Sequence, residues 1–316
     1  MTRVRPTAAA GVAAKRDDAA VEVLFVLGAA RSGTTLLYKA LCLHPAAAFA
    51  SNWVARFPRL PLLAAGNRLA RRAPAFRRRV WFTDGSQAYV YGRRRRLLER
   101  AFPMPVEAEP VYAAAGVPRR PEPGFASADA ERRLRRAFGA IARAGGGSVM
   151  VTKRIANNAR IPFLARAFPA ARFVVIERDG RAVARSLSSV DWWADAPLPW
   201  LGATPREWAA RGGDPWEVCA RNWVEDVRQI DEGLAAVPRD HVRVVRYDDL
   251  VAEPVQTLAA VAAFAGLGAS AEWDRALAEL SFPDGDRTWR TALPNDVVAA
   301  ITEIQRDALV AHGFAV

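Results

Sequence analysis

Short apolar runs alternate with amphipathic stretches along most of the chain. The run 21–28 (VEVLFVLG) is apolar, rich in β-branched residues and stopped by glycine, the pattern of a strand buried on both faces. Residues 33–43 read as a helix ending near His44-Pro45, and 48–53 as a second short strand. Residues 128–144 carry the period of an amphipathic helix with a basic face, broken by Gly145-Gly146-Gly147. The second half is more regular. It predicts a strand over 148–153 (SVMVTK), a helix over 158–168 stopped at Pro169, a strand over 172–177 (RFVVIE) and a helix over 180–188. A long helix over 215–235, a strand over 242–246 (VRVVR) and a helix over 254–265 follow. Strands alternating with helices predict an α/β fold, with a parallel sheet between helices.

The remaining segments break this rhythm. Residues 1–20 are small, polar and charged, and read as a flexible basic arm. From 56 to 100, arginine clusters (Arg71-Arg72, Arg77 to Arg79, Arg93 to Arg96) alternate with Leu, Phe, Trp and Tyr, as in short helices. Six prolines between 103 and 125 predict a loop, and so does the Trp-, Pro- and Gly-rich stretch 191–214. The expected organisation is one domain over 21–316, with insertions at about 54–145 and 191–214.

Composition narrows the function. With 316 residues, 51% hydrophobic, the chain is long enough for a large core, and 25% charged residues exclude wholesale disorder. Two cysteines, Cys42 and Cys219, exclude a disulfide scaffold, and three histidines leave little for a metal cluster. No apolar run reaches the roughly 18–20 residues of a membrane span. No apolar core of a secretory signal precedes residue 21, so a cytoplasmic protein is expected. Net charge is +12, and only Lys15, Lys39 and Lys153 among the 45 basic residues are lysine. A codon bias explains much of the arginine but not the net charge, which points to anionic ligands without demanding nucleic acid.

The segment Gly28-Ala29-Ala30-Arg31-Ser32-Gly33-Thr34-Thr35 joins the first strand to the first helix. A glycine loop there wraps an oxyanion with backbone N–H groups at the positive end of the helix. The triphosphate-binding form is G-x-x-x-x-G-K-[ST], and Thr34 stands where its lysine would be. That argues against a kinase or ATPase, and no strong second carboxylate for magnesium stands at a strand end, though Asp179 is available. Arg31 is the only cation inside the loop. A second strand-to-helix junction, RFVVIERDGRAVARSLSSV, ends its strand at Arg178 and places Ser186 eight residues on. Alone, that junction also reads as a charged surface turn.

Together the two junctions resemble the PAPS-dependent sulfotransferase family, PAPS being 3′-phosphoadenosine-5′-phosphosulfate. In that family an R/K-S-G-T-T loop holds the 5′-phosphosulfate, and an arginine with a serine eight residues later holds the 3′-phosphate. Arg31 to Thr35, and Arg178 with Ser186, match these motifs. VTKRIANNARIPFLARAFPAARFVV and VVRYDDLVAEPVQTLAAVAAFAGL are similar to later segments of the tyrosylprotein and bacterial carbohydrate branches. The resemblance spans about 21–268 and implies a three-layer P-loop-type α/β domain whose insertions form an acceptor lid.

It also implies roles. Arg31, Ser32, Gly33, Thr34 and Thr35 would hold the 5′-phosphosulfate, and Arg178 and Ser186 the 3′-phosphate, with Asn157 or Arg154 assisting. Tyr247, on the late strand, would lie near the nucleotide. Lys153 would stabilise the transition state together with Arg31, with no metal. The family's general base, a histidine or a glutamate after the second strand, has no counterpart in Ser51 to Arg56. Glu107 is the chosen base, with Glu109 behind it. His44 reads as a helix C-terminal cap. Arg287, Trp289 and Arg290 stand where the family closes over the donor.

The acceptor side falls to the insertions, which carry Trp53, Trp81, Tyr89, Tyr91, Trp192, Trp193 and Trp200. A carbohydrate, glycolipid, lipid or natural-product hydroxyl suits such rings. The basic and apolar segment 54–82 suits an anionic membrane surface, and nucleic acid is not expected. The competing readings are a P-loop nucleotide enzyme and a non-catalytic basic anion- or membrane-binding protein on the same scaffold.

Overall fold

Five parallel strands form one sheet in the order β2-β3-β1-β4-β5. They are β1 (Glu22–Leu27), β2 (Ala47–Ala48), β3 (Val149–Lys153), β4 (Arg172–Glu177) and β5 (Val242–Arg246). A computed structural model describes residues 21–82, 97–122, 124–280, 282 and 288–316. The basic arm 1–20, Tyr89, Tyr91, Arg93 to Arg96, Pro123 and Arg287 lie outside the described residues.

The sheet core follows from the alternation within β1. Leu24 and Val26 face one layer, where they join Val151, Val174 and Ile176 under the helices Thr34–Cys42 and Pro254–Phe264. Val23, Phe25 and Leu27 face the other, with Met150, Phe173 and Val175 under the helices Ala128–Gly145 and Ile161–Ala167. Each fully buried side chain of this kind contributes about 1.5–3 kcal/mol. β1 pairs with β3 from Glu22↔Val149 to Val26↔Lys153 and with β4 from Leu24↔Arg172 to Leu27↔Val175. The register brings the C-terminal ends of the three central strands to one edge, where ligands bind in open parallel sheets. A third apolar cluster packs the helices Gly180–Ser188, Pro215–Leu234 and Asn295–Ala311 beside that edge.

Several expectations are corrected. The second strand has two residues, not the stretch 48–53, because Ser51 bridges antiparallel to Pro105 and the chain turns into the helix Asn52–Arg56. The proline-rich 103–125 is not all loop: Glu109–Ala115 is helical, with Pro110 in the first turn, where its missing N–H costs nothing. The 191–214 stretch holds a short helix, Pro205–Ala210, started by a Thr204–Glu207 capping box. The 158–168 element divides into a 3₁₀ segment, Ile155–Arg160, and the helix Ile161–Ala167. Tyr247 is not on the late strand but opens the helix Tyr247–Ala252.

Candidate active site

The glycine loop leaves β1 at Gly28 and enters the helix Thr34–Cys42 through Gly33. Both glycines are required by space as well as by φ. A Cβ at Gly28 (φ +149°) would lie 2.7 Å from the Ile176 carbonyl oxygen, and one at Gly33 (φ +87°) 2.6 Å from Tyr247 Cδ2. Arg31, at φ +69°, is the one non-glycine residue with positive φ among the described residues. That conformation costs roughly 1–2 kcal/mol, and two long-range contacts hold it. Arg31 Nε donates to Ser186 Oγ (3.0 Å), and Arg178 Nη1 donates to the Arg31 carbonyl (2.9 Å). The two sequence motifs are thus joined side chain to side chain and side chain to backbone.

The loop has the donor set for a phosphate group. No side chain caps the helix Thr34–Cys42 and no acid lies in its first turn, so its leading N–H groups and dipole are open to an anion. Ser32 Oγ is buried without a hydrogen-bond partner, as expected of a hydroxyl kept for a ligand. Arg178, the residue after β4, is buried, its guanidinium 4.3 Å from the centre of the Tyr247 ring. Asp179 caps the helix Gly180–Ser188 and receives Arg181 Nε (2.9 Å) and Nη2 (2.7 Å), so its carboxylate is engaged. Among the described residues, no three His, Cys, Asp or Glu side chains form a metal site. Trp289 packs under this same Arg181 at 4.6 Å, and the Arg290 guanidinium lies 5.1 Å from the Trp289 ring.

A cavity of about 1540 Å³ opens beside the loop. Arg31, Thr34 and Thr35 line it from one side, and Lys153, Arg154 and Glu107 from another. Both insertions contribute, the second through Trp192, Trp193 and Trp200. Lys153 ends β3 almost wholly buried, with Nζ 3.4 Å from Thr35 Oγ1 and 2.6 Å from Glu107 Oε1. Burial, then the Arg31 guanidinium, pulls the ammonium down to about 7. Lys153 forms an ion pair with Glu107 at 2.6 Å, and an opposite charge this close favours the charged lysine. Arg154 Nη1 bonds the other Glu107 oxygen, and Arg154 Nε reaches Glu109 (3.1 Å). Glu109 in turn holds the buried guanidinium of Arg160 through Nη2 (2.7 Å) and Nη1 (3.0 Å).

Lys153, Glu107, Arg31 and Thr35 therefore share one cavity, while Arg178, Ser186 and Tyr247 pack against the far side of the Arg31 turn. Asn157 does not join the Arg178 side. It is buried between Tyr112 (3.0 Å) and Arg160 (3.2 Å), and Arg154 is engaged by the glutamates. Two of the expected acceptor-side aromatics are packing residues. Trp81 is fully buried against Phe49, and Trp53 covers Gly66 and donates to the Ala101 carbonyl (2.7 Å). His44 follows the helix end, where its backbone N–H donates to the Leu41 carbonyl (3.0 Å); its side chain does other work, Nδ1 accepting from Ala46 N–H (3.1 Å) and the ring packing edge-on to Trp273.

One group escaped the sequence reading. Asp226, in the helix Pro215–Leu234, lines the cavity, and its Oδ2 accepts from Ala30 N–H (2.9 Å) and Asn222 Nδ2 (3.3 Å). The only signal for it was an Asn-x-x-x-Asp spacing on the face beside the buried Trp223 and Ile230.

A profile described as the sulfotransferase family matches residues 24–271. No curated protein sequence matches the chain. Among solved structures, a sulfotransferase from Mycobacterium avium is similar at 16% identity and TM-score 0.56, over 94% of this chain and 78% of that one. A sulfotransferase from Mycobacterium tuberculosis H37Rv is similar at 20% identity and TM-score 0.56, over 90% and 76%. At these identities the likeness to the two structures is one of fold.

Proposed function

This chain belongs to the sulfotransferase family and is an enzyme of that class, and from that premise we propose that PAPS is its donor and a hydroxyl group its acceptor. PAPS, when bound, supplies the sulfuryl group and leaves as 3′,5′-ADP. The backbone N–H groups of Gly33, Thr34 and Thr35 and the hydroxyls of Ser32, Thr34 and Thr35 grip the 5′-phosphate end, while the Ser32 N–H shapes the loop by donating to the Ala29 carbonyl (3.1 Å). Arg31 and Lys153 offset charge on the sulfuryl and leaving oxygens as it develops, where buried donors act most strongly. Glu107 keeps Lys153 charged and aimed. Arg178 and Ser186 bind the 3′-phosphate, and Tyr247 supports Arg178. The single observation carrying this reading is the bonding of Arg31 to both Ser186 and Arg178. It supports one anion site built from two motifs far apart in sequence.

Calorimetric titration with 3′,5′-ADP, 5′-AMP and Mg·ATP tests the donor. The expected result is much tighter binding of 3′,5′-ADP than of 5′-AMP, without magnesium. Arg178→Ala should remove about 1.5–3 kcal/mol of the 3′,5′-ADP affinity, roughly ten- to over a hundredfold, and weaken 5′-AMP far less, since the Arg31 turn keeps its Ser186 contact. Binding of Mg·ATP alone would refute the reading in favour of a kinase.

The acceptor reading rests on the tryptophan wall, which suits a carbohydrate, glycolipid, lipid or natural-product hydroxyl. We place the enzyme in the cytoplasm, in contact with an anionic membrane surface. No helix among the described residues is long and apolar enough to cross a membrane. Phe57, Leu60, Leu62 and Leu69 are each more than half exposed beside exposed arginines of the same segment, which supports surface contact. Vesicles containing phosphatidylserine should co-sediment the protein and neutral vesicles should not; equal behaviour would remove the membrane from the reading.

A further inference from the structure

We propose that Asp226 takes the proton from the acceptor hydroxyl, an assignment that rests on the sulfotransfer reading above. A general base needs a carboxylate oxygen open to the reacting group. Glu107 does not offer one, because Lys153 engages Oε1 and Arg154 engages Oε2. Asp226 does. Both of its hydrogen bonds fall on Oδ2, from Ala30 N–H (2.9 Å) and Asn222 Nδ2 (3.3 Å), and the residue lines the cavity. Those bonds hold the carboxylate against the residue preceding Arg31 and leave Oδ1 for a group in the cavity. Trp193, Leu198 and Trp200 line the same cavity and offer an acceptor apolar surface in the space that Asp226 also lines.

The electrostatic setting fits the task. Burial pushes the Asp226 carboxyl up to about 7, and Glu225 on its own helix adds to the rise. The Ala30 N–H from the loop, and Arg120 from the segment ahead of the helix Ala128–Gly145, oppose it. A base whose pKa lies near the working pH is both available and strong enough to accept the proton. In the step, the acceptor oxygen bonds to sulfur while its proton passes to Asp226 Oδ1. The bond from sulfur to the 5′-phosphate oxygen breaks, and its electron pair leaves with 3′,5′-ADP. Water in the cavity then takes the proton from Asp226.

Asp226→Asn separates this role from support of the loop, since the amide oxygen still accepts from Ala30 N–H. Both proteins are titrated with 3′,5′-ADP, and release of 3′,5′-ADP from PAPS is followed from about pH 5.5 to about pH 9 with water as the acceptor. The wild-type rate should rise with pH through about 7. The variant should bind 3′,5′-ADP as before, turn over about 10²–10⁴-fold more slowly and lose that rise. Equal rates for the two proteins at every pH, zero included, overturn the assignment. So does a loss of 3′,5′-ADP affinity large enough to account for the rate, which would make Asp226 a positioning residue for the loop. If neither protein binds 3′,5′-ADP, the sulfotransfer reading itself falls.

Discussion

Replacing Gly33 by alanine tests the packing on which the phosphate loop depends. Two costs add. Gly33 sits at φ +87°, where a side chain costs roughly 1–2 kcal/mol. The new Cβ would also lie 2.6 Å and 2.8 Å from two carbons of the Tyr247 ring, and 3.3 Å from Ile176 Cδ1. That ring cannot swing aside freely, because it is buried to 1% exposure with the Arg178 guanidinium over its face at 4.3 Å. Overpacking of this kind costs about 1–3 kcal/mol. Urea unfolding should therefore show Gly33→Ala losing about 2–5 kcal/mol, the sum of the two ranges. Repeating the substitution in a Tyr247→Ala background isolates the ring. There the loss should shrink to the backbone part, about 1–2 kcal/mol. An unchanged loss would show that the ring is not the obstacle. A loss below about 1 kcal/mol in the wild-type background would refute the whole argument.

Three further outcomes follow from the same geometry. Lys153→Ala should lower turnover about 10²–10³-fold with little change in 3′,5′-ADP affinity, because Arg154 still holds Glu107; a loss confined to affinity would make Lys153 a binding residue. Glu109→Gln should cost about 3 kcal/mol in chemical denaturation, the low end for a broken buried pair because Glu109 is itself about a quarter exposed. Destabilisation within experimental error would show that Arg160 is satisfied by Pro118 and Asn157 alone. His312 bridges Glu177 (2.9 Å) and Asp231 (3.0 Å), and the Glu177 bond, aided by Asp231 against partial burial, holds its pKa above the ordinary value of 6.5. Its contribution to stability is therefore complete below about pH 6.5 and lost as pH rises through the folded-state value. Denaturation midpoints across that range should fall with pH in the wild type and flatten in His312→Gln; parallel slopes would exclude His312 as the source.

The elements legible in advance were those whose signals are local. β4, β5 and the helix Gly180–Ser188 lie where the apolar runs and the Arg-Asp-Gly turn predict them, because strand alternation and helix capping act within a few residues. The helix Glu109–Ala115 was hidden by surrounding prolines, only one of which lies inside it, in the first turn. The helix Asn295–Ala311 was not read, although Val297, Ile301, Ile304 and Ala308 recur at helical spacing and pack on the third cluster with Leu309. Trp53 and Trp81 read as acceptor-side rings because composition does not distinguish a ring that lines a cavity from one that fills a core.

At the candidate site the division is the same. The order strand, glycine loop, helix and the eight-residue step from Arg178 to Ser186 are properties of neighbouring residues, and the sequence by itself determined them. That Arg31 bonds Ser186 and that Ala30 leans on Asp226 was decided only by the tertiary structure, across 155 and 196 residues of chain. It likewise decided that Lys153 and Arg154 occupy both oxygens of Glu107. Backbone demands such as the positive φ of Gly33 are written where they act. Which charge meets which depends on how the layers of helices settle on the sheet, and that packing depends on the whole core at once.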